Sequence, residues 1–276
     1  MKKLKLISIL LAAILLFSGC GEPAATQNTT APTTQPTEPA TEPTEPDPID
    51  NEEALRAALE VGGRVNLEGD IQLTQTLGVK GNIFNGGGHT ITGMEHVEGD
   101  ASTENALSIS SGTVENLNIQ GAYRCLGDSK DFPATGDVRI KNVTADGTTL
   151  ALGLSKGSGQ GTLYVDGCTL RGWVLHNKFK EAIFTDCTFS WNSLGTGGDL
   201  RPYVYTELIN CRFEGKTDEN GKYTPYRINF YKNTKGVILV LENCYVGDTL
   251  ITEQNINSLL TVKAKNNTII VRNSST

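Results

Sequence analysis

Apolar and polar residues alternate through most of the chain after residue 60, and the alternation slips by one position at intervals. The clearest instances are "VENLNI" (114–119), "IKNVTA" (140–145), "VDGCTL" (165–170), "FTDCTF" (184–189), "LINCRF" (208–213), "LENCYV" (241–246) and "AKNNTI" (264–269). Each reads apolar, any, then Asn, Gly or Asp, then a small or apolar residue, any, apolar. Period-two alternation marks a strand. The slip falls at Asn116, Asn142, Gly167, Asp186, Asn210, Asn243 and Asn266, spaced 26, 25, 19, 24, 33 and 23 residues apart. Asn, Asp and Gly tolerate a left-handed backbone. One such residue turns the chain while both flanking strands keep their apolar sides on one interior. The predicted unit is therefore strand, one-residue bend, strand, repeated as a stacked array.

This repeat resembles the right-handed parallel β-helix, the fold of the pectin-lyase-like superfamily. "NIFNGGGHTITG" (82–93) is similar to the Asn- and Gly-rich first coils of bacterial members. The resemblance spans roughly residues 60–276 and implies an all-β, single-stranded right-handed parallel β-helix, a solenoid of about eight coils. An antiparallel sandwich is the rival, but it needs hairpins where the sequence has one-residue bends. The fold by itself assigns no function, because the architecture carries lyases, hydrolases, isomerases and adhesins alike.

Two other segments read clearly. "DNEEALRAALEVGG" (50–63) predicts a short N-terminal capping helix, with Asp50 and Glu53 at capping-box spacing, Leu55, Ala58 and Leu59 on one face and Gly62–Gly63 as the stop. Such a helix covers the open apolar end of a stacked array. In the long gap between Asn210 and Asn243, Asn220–Gly221 signals a hairpin standing off the body. The neighbouring "DENG" lacks the spaced acids of a calcium loop, and no metal site is expected.

The N-terminus changes the picture of where the domain works. "MKKLKLISILLAAILLFSGC" has a basic start at Lys2, Lys3 and Lys5, then an apolar run from Leu6 to Phe17 too short for a comfortable span. Small residues before Cys20 resemble the lipobox of bacterial lipoproteins. That likeness implies a signal peptide over 1–19, cleavage before Cys20 and a diacylglycerol on its sulfur; a cleaved signal without lipid is the plainer alternative. Residues 20–48 are Thr, Pro and Glu with little else, the composition of a semi-rigid tether. The β-helix domain is then 49–276, expected on the extracellular face of a bacterial, Gram-positive membrane. Charge divides accordingly: +3 over 1–20, −12 over 21–111 and +2 over 112–276, adding to the net −7. A domain without a basic excess is not expected to bind nucleic acid.

Cys168, Cys187, Cys211 and Cys244 hold one pattern position in four successive copies, so they should form an inward column. Rungs about 4.8 Å apart spread four sulfurs over about 14 Å, too far to converge on one zinc. Leu117 and Val143 hold the same position earlier, so the column reads as packing. In the resembled superfamily, sugar chains lie in the groove over the third sheet. The segments expected there are 123–127, 150–155, 173–178, 191–198, 227–233 and 250–255. They offer Arg124, Trp173, His176, Lys178, Trp191, Tyr231 and Lys232 as ligand-binding candidates. Aromatic faces beside cations suit an acidic glycan. The commoner arrangement, with the tryptophans packed inward and the cations merely solvated, stays open. Glu253, Asp199 and Asp128 are the only acids near those segments, short of the clustered acids that lyases and hydrolases of this fold use. The expected function is a lipid-anchored surface protein that binds a carbohydrate or a protein partner without cofactor or catalysis. A polysaccharide lyase or glycoside hydrolase working in the groove is the alternative.

Overall fold

The computed structural model describes residues 48–274 except 231–233. The expected signal peptide, Cys20 and the tether up to residue 47 lie outside the described residues, as do Tyr231 and Lys232. The described chain is all-β with a large, mostly parallel sheet: twenty strands are joined through it, and only two helices accompany them.

Register makes the repeat explicit. Val114, Ile140, Val165, Phe184, Leu208, Leu241 and Val271 pair in sequence across successive parallel strands. After the bend, Ile119, Ala145, Leu170, Phe189, Phe213 and Val246 pair in a second column. A third column holds Leu77, Leu107, Leu126, Leu152, Val174, Leu200, Ile228 and Val262. Nearly all of these side chains are buried and belong to one core. Burying an aliphatic or phenyl side chain is worth about 1.5–3 kcal/mol, so these columns supply the main stabilisation.

The bends are visible in the backbone. Asn116, Asn142, Asp186, Asn210 and Asn243 have φ between 49° and 54°, and Gly167 has φ 61°. Their side chains bond along the stack. Asn142 Nδ2 donates to Asn116 Oδ1 (3.1 Å), Asn116 to Asn85 (3.0 Å), and Asn85 to Asn66 (3.0 Å). The ladder stops at Gly167, where a Cβ would stand 2.7 Å from Asn142 Oδ1.

Three local expectations are corrected. Asn266 is not the seventh bend. Ala264–Asn267 is a turn, with Asn267 N–H donating to Ala264 O, and the last rung is Thr268–Arg272. "AKNNTI" has the right apolar spacing, but the positive φ there belongs to Lys265. The last segment of the third column is Thr261–Lys263 rather than 250–255. Gly247–Asp248 instead folds Thr249–Leu250 back antiparallel on Tyr245–Val246, Gly247 supplying φ 56°. Finally, helix α1 (Glu52–Val61) is capped by Asn51, whose side chain accepts from Ala54 N–H, and not by Asp50. The helix still buries Leu55 and Leu59 against the first rungs, and Gly62 ends it with φ 91°. The hairpin is present as Lys216–Thr217 against Tyr223–Thr224, its turn closed by Asp218 Oδ1 accepting from Asn220 and Lys222 N–H.

Candidate ligand-binding face

Residues flanking the third column point away from the core. One outward row runs Arg124, Leu150, Trp173, and the next runs Gly127, Gly153, Leu175, Arg201. Asp199, in line with Trp173, is paired with Arg227 and continues the first row. The strand Asp199–Pro202 thus sets an acid and a base on either side of inward Leu200.

These groups form one cluster. Arg201 lies over the Trp173 ring, 4.0 Å from its centroid, and donates to Asp199 Oδ2 at 3.1 Å. Arg227 pairs with Asp199 Oδ1 and lies 4.7 Å from the Trp191 centroid. Lys216, from the hairpin, lies 4.4 Å from the same ring and donates to Gly195 O. Asp199 is 3 % exposed. Two guanidinium groups therefore clamp a buried carboxylate, and each covers a tryptophan. Desolvated cation–aromatic pairs are among the stronger surface contacts. Counting Lys216, three cations meet one acid, so the cluster presents positive charge on an aromatic surface.

Backbone makes room for the rings. A Cβ on Gly197 would stand 3.1 Å from Trp173, and one on Gly198 would stand 2.6 Å from Trp191. Asn192 holds that loop. Its Nδ2 donates to Gly147 O (3.2 Å) and Thr148 O (2.8 Å), and its Oδ1 accepts from Thr196 N–H (2.8 Å) and Gly197 N–H (3.0 Å).

The candidates named from the sequence separate. Trp173 and Trp191 come together through Arg201, Asp199 and Arg227. Arg124 stands apart, with Nη2 on Glu104 at 2.8 Å and its guanidinium 5.5 Å from the Tyr123 ring centroid. Lys178 is an exposed turn residue with φ 62°. His176 does not face a groove. It is fully buried, with Nε2 2.8 Å from Thr206 Oγ1 and its ring 5.4 Å from Phe184. Burial pushes its pKa down to about 3. The inward parity of Leu170 runs unbroken through Gly172 and Val174 to His176, and that alternation was the available signal. Arg201, Arg227 and Lys216 were missed as site residues. Only the register across unequal gaps shows which rows they share.

The acids near the face serve structure. Asp128 is buried, and its carboxylate accepts from Ser155 and Lys156 N–H, each at 2.6 Å. Desolvation raises its pKa despite these bonds. Among the described residues no group of three His, Cys, Asp or Glu is placed to hold a metal ion. The structure places Cys168, Cys187, Cys211 and Cys244 in one buried column of free thiols. Hydrogen bonding with Cys187 and burial raise Cys168, and burial raises Cys211. Bonds from those neighbours draw Cys187 and Cys244 down. The four free thiols pack as small hydrophobes within the core. No family model, curated protein or solved structure matches the chain.

Proposed function

We propose that this chain is a lipid-anchored cell-surface protein whose domain binds carbohydrate without catalysis. The observation that carries the reading is the cluster of Trp173 and Trp191 under Arg201, Arg227 and Lys216. Fixed cations held over the rings suit the acidic groups of a sugar, and the half-buried tryptophans beside them give it apolar contact. The bends, the parallel register and the α1 cap support a right-handed parallel β-helix of about eight coils. The short apolar run before Cys20 and the Thr/Pro/Glu segment behind it support a diacylglycerol anchor with a tether on the outer face of a bacterial membrane.

The test is a panel of acidic and neutral polysaccharides offered to the protein. Expected are retention of acidic polymers and a loss of about tenfold or more in Trp191→Ala and Arg227→Ala. Release of unsaturated or reducing sugar by the unmodified protein would overturn the non-catalytic reading. For the anchor, labelled palmitate should enter the chain in a bacterial host and be lost in Cys20→Ala.

A further inference from the structure

A second feature lies on the outward face of the third column, toward α1 and away from the tryptophan cluster. Gly78, Ser108, Gly127 and Gly153 follow one another in register. The Asn105 side chain fills the space over Gly127 and Arg124 that over Gly153, while at Gly78 the space is taken by an aromatic ring. Phe132 Cε2 and Cζ lie 3.0 and 3.1 Å from where a Cβ on Gly78 would be. The ring lines two clefts, of about 310 Å³ and about 280 Å³. The turn that carries it is fixed, because Phe132 N–H donates to Ser129 Oγ (3.0 Å) and Ser129 N–H donates to Phe132 O (3.2 Å).

The smaller cleft has a distinct chemistry. Beside Phe132 it is lined by Ser102, Ser129 and Asp131, with buried Ser108 at its floor and the Ser102 hydroxyl already given to Asp100. Ser129 Oγ accepts from Phe132 N–H, so this oxygen is oriented by the protein and keeps a proton to give. Among the described residues no Lys, Arg or His lines this cleft. An anionic ligand would meet Asp131 without a counter-charge, whereas vicinal hydroxyls can donate to that carboxylate and accept from Ser129. The Phe132 ring offers an apolar wall for the C–H face of a sugar.

We propose that this cleft is a subsite for a neutral sugar ring, stacked on Phe132 and held through its hydroxyls by Asp131 and Ser129. This rests on the carbohydrate-binding reading of the protein and adds to it. The glycan recognised would carry neutral units at the α1 end and acidic ones over Trp173 and Trp191.

Saturation-transfer NMR on the full chain tests the subsite, with methyl β-glucoside, methyl β-galactoside and N-acetylglucosamine as neutral probes and glucuronate as the acidic one. At least one neutral probe should bind. Its affinity should fall by about tenfold in Phe132→Ala and Asp131→Asn, and persist in Trp191→Ala. Gly78→Ala, which crowds the ring without touching the hydroxyls, should weaken it too. Thermal midpoints of the variants show that each is folded. Binding indifferent to Phe132→Ala and Asp131→Asn, a preference for glucuronate in this cleft, or no neutral sugar bound would each overturn the proposal. If acidic polymers still depend on Trp191, the subsite alone has failed. If they too do not bind, the functional reading fails with it.

Discussion

Two buried polar side chains show how single residues set both the stability and the face. Asn192 ties its loop to Gly147 O and Thr148 O of the strand Val138–Leu154 and holds the loop's own Thr196 and Gly197 N–H, and that loop places Gly197 and Gly198 under the tryptophans. Removing the amide leaves buried backbone groups unpaired, at about 1–3 kcal/mol for each such loss. Asn192→Ala should lower stability by about 2–3 kcal/mol in urea unfolding and weaken polysaccharide retention as well. Unchanged retention would show that the loop does not position the rings. His176 makes a different prediction. Its folded pKa is about 3 against an ordinary 6.5, because burial disfavours the imidazolium. The unfolded chain thus takes the proton first. The stability it contributes is full above pH 6.5 and declines as pH falls from 6.5 toward 3, by about 1.4 kcal/mol per unit. Comparing the protein with His176→Leu isolates this from the carboxylates. The difference in unfolding free energy between the two should shift steadily in favour of the variant from pH 6.5 to pH 4, and a constant difference would sink the idea.

At the scale of the element, the repeating unit stands or falls on its bend. Asn142 must hold φ 52° and also bond to Asn116. Asn142→Ala loses both, and a left-handed alanine costs about 1–2 kcal/mol beyond the hydrogen bond. Asn142→Gly keeps the backbone and loses only the ladder bond. Urea midpoints should therefore rank the protein above Gly and Gly above Ala. An alanine variant as stable as the glycine one would deny that the bend is strained. Most of this element was legible from sequence, because six of the seven slip positions carry a positive φ. The seventh was not. Alternation alone cannot tell a bend between strands from a turn at Ala264–Asn267 when Asn occurs in both. The binding face was legible only in part. Trp173 and Trp191 are visible as isolated aromatics, but Arg201 and Arg227 acquire meaning from Asp199. Their meeting depends on register across gaps of 19 to 33 residues. His176 was misplaced for a related reason. Its inward parity could be counted from Leu170, but only by assuming that the corner at Gly172 preserves the alternation that the other bends break.

Across the whole molecule, pairing is between neighbouring rungs, so each rung is as secure as the two beside it. The two ends differ. At the first rungs α1 buries Leu55 and Leu59, and Asn82 Nδ2 donates to Leu59 O at 3.0 Å. At the other end Thr268–Arg272, among the described residues, pairs on one side only, with Ile238–Glu242. Ile269 and Val271 are half-buried there, whereas Leu239 and Leu241, one rung inward, are fully buried. Val262 and Ala264 line an apolar cleft of about 330 Å³ beside them. Fewer apolar contacts and one-sided backbone pairing both lower the free energy of local opening. Amide exchange should accordingly follow a gradient. Protection should be greatest in Val138–Leu154, which has strands on both sides, and least in Thr268–Arg272, with the rungs next to α1 intermediate. Leu55→Ala should move the first rungs toward the behaviour of the last, because it opens the covered end at about 2–5 kcal/mol. If the amides of Thr268–Arg272 proved as protected as those of Val138–Leu154, that terminal edge would be covered in solution.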